Sequence, residues 1–371
     1  MCRAVPPHYG SGVSTPRTGT LAGTLARMGF ADPPRAEQLI TEELRFDADG
    51  ADGDVLAAIA AAADPDLALT SLAGLLQRSS APLAAELRGA LRTERGFLDR
   101  LTAVLGTSAA LGDYLRRHPD DWRVLRGPDA LHRPAAGELR AALLSAVGAQ
   151  PYDPQPVAVA GDPARAADQV TALRLAYRRR LLHLAARDLT GAAAFDEVTA
   201  ELADLAGAAL EGALAVARGQ LRADDIRRGG GQHSDRALPY RLAVIGMGKC
   251  GGRELNYVSD VDVIFVAEAA QTTDNTERAD NTERAEATDE GAALAAATKL
   301  ATAMMRVCSQ SAPEAPLWQV DPNLRPEGRS GPLVRTLASH RAYYERWAKT
   351  WEFQALLKAR PLAGDLELGA S

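Results

Sequence analysis

Cysteine is scarce and scattered: Cys2, Cys250 and Cys308 are the only three in 371 residues, and none belongs to a CxxC pair. That spacing excludes a disulfide framework and a thiolate zinc site, and it fits a reducing cytoplasm. Histidine is thin as well, with six residues, no HExxH and no pair at ligand spacing. The longest apolar run, Val55 to Ala63, is alanine-rich and about half a membrane span, so no membrane-crossing segment is expected. Residues 1–20 have no apolar h-region, which argues against a signal peptide and reads as a disordered N-terminus. Charge of one sign is also missing in bulk. A formal net charge of -6 gives no electrostatic reason to expect nucleic acid or an anionic membrane as partner.

Alanine, leucine and arginine are plentiful from Leu21 to about Gly229, with apolar residues three and four apart, which predicts a helical region over 21–229. "DVLAAIAAAADPDLALTSLAGLLQ" reads as two helices broken at Asp64-Pro65. "ALRLAYRRRLLHLAARDL" reads as one helix whose buried stripe is Leu173, Tyr177, Leu181, Leu184 and Ala185. Arg178, Arg179 and Arg180 are expected on its solvated face, with phosphate contact as the minority reading.

After a linker, Arg227 to Asp235, the pattern changes. "RLAVI" (241–245), "DVDVIFV" (260–266) and "LWQVD" (317–321) suit strands. They define an α/β core at 236–336, so the predicted class is α+β. A perfect polar repeat, "DNTERADNTERA" (274–285), sits in an expected insertion loop at 268–290 and reads as disordered. Helical spacing resumes from Gly291 to Gln310. Residues 337–371 are expected to form terminal helices, with Trp347 and Trp351 four apart on a helix and in the core.

The stretch with most chemistry is "GMGKCGGRELNYVSDVDVIFV", Gly246 to Val266. Its GxGxxG would suit a dinucleotide fold, but only Gly252 to Ser259 separate the last glycine from the acidic strand, too few for the helix that fold needs. Walker A fails too, because Cys250 follows Lys249 where Ser or Thr is required. What fits is a phosphate-cradling turn, with a short helix beginning near Gly252 whose N–H groups face an anion. Asp260 and Asp262, two apart on a strand, would share one face while Val261 and Val263 face the core. Two carboxylates this close repel unless cations hold both ionised, which invites Mg²⁺, here two ions. Asp321 is the candidate third acid, placed by Pro322 at a strand end. Gly248, Lys249, Gly251, Gly252, Arg253, Ser259 and Arg325 are the candidate nucleotide- and phosphate-binding residues; Arg253 would open the short helix, and Lys249 has a plain alternative as a solvated turn lysine.

These segments, with "VDPNLRPEGRSGPLV", "YYERWAKTWEFQALLKARPLAGD" and "LGTSAALGDYLRRHPDDW", resemble the bifunctional glutamine-synthetase adenylyltransferase/adenylyl-removing enzyme, particularly its actinobacterial members. The resemblance covers roughly Leu21 to Asp365 and implies the N-terminal, adenylyl-removing half only. It further implies a polymerase-beta-like nucleotidyltransferase core that binds ADP or ATP and inorganic phosphate and acts on glutamine synthetase, with the PII signal protein as a regulator. The implied reaction is phosphorolysis of adenylyl-tyrosine with release of ADP. A competing reading is an inactive, truncated module that binds a nucleotide or partner without turnover. Transfer to nucleic acid finds no support, because no flanking basic face accompanies the site.

Overall fold

The computed structural model describes residues 20–48, 50–158, 163–227, 240–270 and 282–371. Two compact units emerge, Met1–Trp122 and Arg123–Ser371.

In the first unit, every regular element among the described residues is helical: α1 (Leu21–Arg27), α2 (Pro33–Gln38) with a π-helical turn after it (Leu39–Leu44), α3 (Gly53–Ala60), α4 (Pro65–Arg78), α5 (Ala81–Thr93), α6 (Arg95–Leu105) and α7 (Ala109–Arg117). The expected break falls at Asp64-Pro65. Asp64 accepts from the Leu67 N–H at 2.9 Å as N-cap, and Pro65 begins α4 where a missing N–H costs nothing. Leu69, Leu72 and Leu75 of α4 and Phe97, Leu98 and Leu101 of α6 bury the apolar stripe. Asp52, almost fully buried, is gripped bidentately by Arg92 at 2.7 and 2.9 Å.

The second unit combines α8 (Ala136–Ala146), α9 (Pro163–Leu189) and α10 (Phe195–Arg227) with a five-stranded mixed sheet. Its strands are β1 (Tyr240–Gly246), β2 (Val261–Ala269), β3 (Val320–Asp321), β4 (Val334–Arg335) and β5 (Arg360–Gly364). The other helices are α11 (Gly248–Gly251), α12 (Thr282–Ser309), α13 (Leu337–Arg346), α14 (Thr350–Leu356) and α15 (Leu366–Ala370). β1 lies between antiparallel β2 and β5, while β3 and β4 both run parallel to β2. The α+β class is therefore as expected. From Leu202 to Gly219 of α10 every residue but the half-buried Asp204 is buried; its Ala- and Gly-rich sequence lets α8, α9, α12 and β5 close in on it. Val244, Val263 and Phe265 of the sheet share one apolar core with α8, α9, α10 and α12.

Several expectations need correction. "LWQVD" becomes strand only at Val320–Asp321, since Pro316 and Pro322 bracket it without N–H groups for a ladder. The insertion loop is shorter than 268–290: β2 continues to Ala269 and α12 starts at Thr282, so the second copy of the repeat is helical from there, while 271–281 lies outside the described residues. Residues 1–19 and the linker at 228–239 lie outside them too. Trp347 ends α13, Trp351 belongs to α14, and they are 74% and 52% exposed, so four-residue spacing across a helix break carried no burial. Arg178 is not on a solvated face; it donates to the Ala315 carbonyl at 2.8 Å. One turn earlier, fully buried Arg174 donates to the carbonyls of Gln310 (2.7 Å) and Glu314 (2.8 Å), a cation set against the C-terminal end of α12. No helix among the described residues is long and apolar enough to cross a membrane.

Candidate active site

β1 ends at Gly246, flanked in register by Val263 of β2 and Arg360 of β5. The chain then makes one helical turn, α11, rather than a strand continuation. Met247 N–H donates to the Asp262 carbonyl at 2.9 Å, and Gly251 N–H closes the turn on the Met247 carbonyl at 2.9 Å. Two glycines are required here by space. Gly248 has φ +52°, and a Cβ on it would lie 2.6 Å from Oδ2 of Asp262. A Cβ on Gly251 would lie 2.0 Å from the Lys358 carbonyl oxygen and 2.4 Å from that of Gly246. The glycine pattern thus lets backbone pass directly against the acid strand.

The short helix begins at Gly248, not near Gly252, which is its C-cap. Residues 253–260 are irregular, and Arg253 adopts a left-handed φ of +58°. Arg253 therefore does not open a helix. Its guanidinium meets Asp204 of α10 at 2.6 Å. Lys358 reaches Glu254 at 2.5 Å, and Tyr257 donates to Asp188 of α9 at 2.8 Å. The loop is tied down by Asp204 and Asp188 of the earlier helices and by Lys358, which precedes β5.

Asp262 and Asp321 are direct register partners on the parallel strands β2 and β3, neighbours at roughly 4.8 Å strand spacing. Val261 and Val263 turn into the core, as expected, leaving Asp262 half-buried. Asp260 falls one residue before β2 and is exposed, because pairing with the β3 segment begins only at Val261, whose N–H donates to the Gln319 carbonyl at 3.1 Å. Burial raises the Asp262 carboxyl above the ordinary range; the charges of Asp321 and then Asp260 add to this, and Lys249 opposes them. Among the described residues no three His, Cys, Asp or Glu side chains converge tightly enough to form a metal cluster. The structure thus pairs Asp262 with Asp321, and Asp260 contributes charge from outside the pair. Such a donor set fits a hard divalent cation of the Mg²⁺ kind, which takes one or two carboxylates and keeps several waters.

Lys249 is exposed on α11, with its charge felt at Asp262. Gly252 packs against the Lys358 side chain, and Ser259 is half-buried just before Asp260. Arg325 does not extend toward a ligand: it donates to the carbonyls of Pro322 (2.8 Å) and Gly331 (3.2 Å), bracing the loop that follows Asp321. Asp321 itself accepts from the Asn323 N–H at 2.7 Å, an Asx-type turn that fixes its carboxylate where β3 ends. Cys250 is buried, and desolvation pushes its thiol up to about 12, so it is not a nucleophile.

Two residues were missed. Arg360 of β5 donates to the carbonyls of Cys250 and Gly251, both at 3.2 Å, and lies 3.5 Å from Asp204, which also holds Arg253. Burial raises the Asp204 carboxyl, and the two guanidiniums offset that. The only signal available was an aspartate inside the apolar run "LADLAGAAL".

The family model of glutamate-ammonia ligase adenylyltransferase matches residues 98–371. Relatives named bifunctional glutamine synthetase adenylyltransferase/adenylyl-removing enzyme include that of Streptomyces avermitilis, 48% identical over 356 residues, covering 95% of this chain and 31% of the relative. The Streptomyces coelicolor protein is 48% identical, covering 93% of this chain and 30% of the relative. For that of Mycobacterium tuberculosis the identity is 42%, with the same coverage of 93% and 30%. The chain therefore spans about a third of the length of these relatives. With its glycine turn, acid pair and matched region together, the chain belongs to the glutamate-ammonia ligase adenylyltransferase family.

Proposed function

We propose that this chain is a metal-dependent nucleotidyltransferase unit with a polymerase-beta-like core, acting on the adenylyl-tyrosine linkage of glutamine synthetase in the cytoplasm. The observation that carries the reading is half-buried Asp262, in register with Asp321 and abutted by a glycine turn that leaves no room for a side chain. Asp262 and Asp321 would hold a divalent cation, with Asp260 beside them as a ligand to a second. When bound, such ions neutralise phosphate charge and stabilise the attacking and leaving oxygens of an in-line displacement.

The rest is the work of the chain's own groups. The backbone N–H groups at the start of α11 and the Lys249 ammonium would hold the phosphate oxygens. Gly251 and Gly252, lacking a Cβ, let Lys358 close directly onto that turn. In the removing direction inorganic phosphate attacks the adenylyl phosphorus, the bond from phosphorus to the tyrosine oxygen breaks, and the products are ADP and the tyrosine hydroxyl. Phosphate is already an anion, so no general base is required; the phenolate, with an ordinary pKa near 10, needs the stabilisation. The 42–48% identical relatives carry both activities in their names, which supports the reaction class, and direction is proposed here from the resemblance to the removing half. PII protein is the proposed regulator.

The test is ADP release from adenylylated glutamine synthetase by the purified chain with phosphate, with Mg²⁺ or with chelator. Metal-dependent release that is lost in Asp262→Asn supports the mechanism, and equal release in chelator ends it. A second reading, a module that binds nucleotide or partner without turnover, is favoured by Arg253 and Arg325 being occupied by internal partners. It expects nucleotide binding with no metal-dependent release.

A further inference from the structure

Exposed apolar side chains are unevenly spread over the described residues. Twelve large ones are exposed, and six of these, Tyr257, Val258, Trp347, Trp351, Phe353 and Leu357, fall in two short stretches, 257–258 and 347–357. Val258 is 92% exposed and Leu357 84%. Single exposed hydrophobics are ordinary, but a group drawn from two separate segments marks an interaction surface.

Both stretches border the candidate active site. Val258 lies two residues before Asp260 in the loop after α11, so the two Cα atoms are within about 7 Å. Leu357 precedes Lys358, whose side chain packs on Gly252 and whose carbonyl oxygen abuts Gly251, one turn from the Gly248 that lies against Asp262. The Glu254–Lys358 ion pair, at 2.5 Å, joins the loop to the end of α14. α14 also covers the sheet face that carries Asp262. Its Ala355 and Leu356 pack against the cluster of Met247, Ile264 and Val266, and Ile264 and Val266 share the face of β2 taken by Asp262. Trp351, Phe353 and Leu357 of the same segment remain exposed.

The occupant follows from the reaction, and the inference rests on the function proposed above. A tyrosine side chain is short, so a protein that brings an adenylyl-tyrosine to Asp262 and Asp321 must lay its own surface on whatever borders them. Inorganic phosphate, a polar anion, gains nothing from indole and aliphatic surface at that rim. Arg346 and Lys349 are exposed with no partner among the described residues, and they outnumber the one exposed acid beside them, Glu345. That balance suits a partner patch with acids around an apolar centre. We infer that Val258, Trp351 and Leu357 form the docking surface for the glutamine synthetase subunit that presents the modified tyrosine, with the indole of Trp351 as its anchor.

The test compares two substrates of one reaction: adenylylated glutamine synthetase, and N-acetyl-O-adenylyl-tyrosine amide, which has the same phosphodiester and no protein surface. In Val258→Ser, Trp351→Ser and Leu357→Ser, KM for the protein should rise at least 10-fold at little-changed kcat, while kcat/KM for the small substrate stays within about 2-fold of the parent's. All three side chains are exposed, so melting temperatures should match the parent's. Binding is measured apart from turnover by biolayer interferometry of the chain, in chelator and without phosphate, on immobilised adenylylated glutamine synthetase. There Leu357→Ser should weaken binding at least 10-fold. Unchanged KM in all three variants, equal losses on both substrates, or no binding by the parent overturns the docking surface. So does self-association of the parent that the variants abolish while KM stays the same. If neither substrate gives metal-dependent ADP release, the proposed function fails, and interferometry alone decides the surface.

Discussion

At Asp262 two demands conflict: the carboxylate is desolvated beside like charges, yet the proposed chemistry needs it ionised. Replacing it removes the repulsion along with the ligand. Asp262→Asn should therefore lower metal-dependent ADP release at least 100-fold, while its melting temperature in chelator is no lower than the parent's. A variant that loses activity by unfolding would show the opposite in the melt. His183 gives a residue-scale prediction with a definite sign. Its folded pKa, about 4, lies below the ordinary 6.5, so between those values the unfolded chain binds the proton that the folded chain refuses. Stability should rise with pH through that window and be lost on acidification from 6.5 toward 4, by about 3 kcal/mol at most. Denaturant titrations across that range check it, and His183→Gln should flatten the slope.

At the scale of the element, α11 is a single turn that cannot hold itself, since one turn fixes its residues for very few hydrogen bonds. It persists because Arg360 donates to its two last carbonyls and Asp204 holds Arg360 and Arg253 in place. Arg360→Gln should destabilise the chain by about 1–3 kcal/mol and reduce kcat more than it raises KM, because the turn is misplaced rather than removed. The two glycines separate by mechanism. Gly251→Ala drives a methyl into two carbonyl oxygens and should cost about 2–4 kcal/mol in stability. Gly248→Ala instead meets the Asp262 carboxylate and a left-handed φ, so it should impair metal or phosphate binding more than folding, as read by activity against the melt. The glycines and acids were legible in the sequence because their spacing is local. The direction of the turn was not, since a helix beginning at Gly248 or at Gly252 has the same glycine pattern; contact with Lys358, over a hundred residues later, decides it.

In the second unit the long helices share one apolar core with Val244, Val263 and Phe265 of the sheet, while Ala243, Ile245, Ile264 and Val266 belong to a second cluster with Met247 and Leu368. α10 is buried along most of its length, so the sheet has no independent inner face to offer. A fragment of residues 236–371 should therefore fail to fold, remaining without a cooperative melt, whereas residues 123–371 should melt in one transition. Circular dichroism with size-exclusion chromatography tests both. Arg174 belongs to the same scale: a fully buried cation held by carbonyls at the end of α12 couples two helices some 140 residues apart, and arginine in an apolar stripe carries no local sign of that partner.

By itself the sequence determined what depends on neighbours in the chain. The α+β class follows from helical and alternating periodicity, the helix break from Asp64-Pro65, the glycine turn and acid strand from their spacing, and Asp321 at a strand end from Pro322. Only the tertiary structure decided what depends on partners distant in the chain. It set Asp262 against Asp321 and left Asp260 outside the strand. Arg325 and Arg253 were turned inward to carbonyls and to Asp204, and Trp347 and Trp351 were left exposed. The physical reason is the same in each case: periodicity fixes which face a side chain takes, but hydrogen bonding and burial between segments far apart in the chain fix what that face meets.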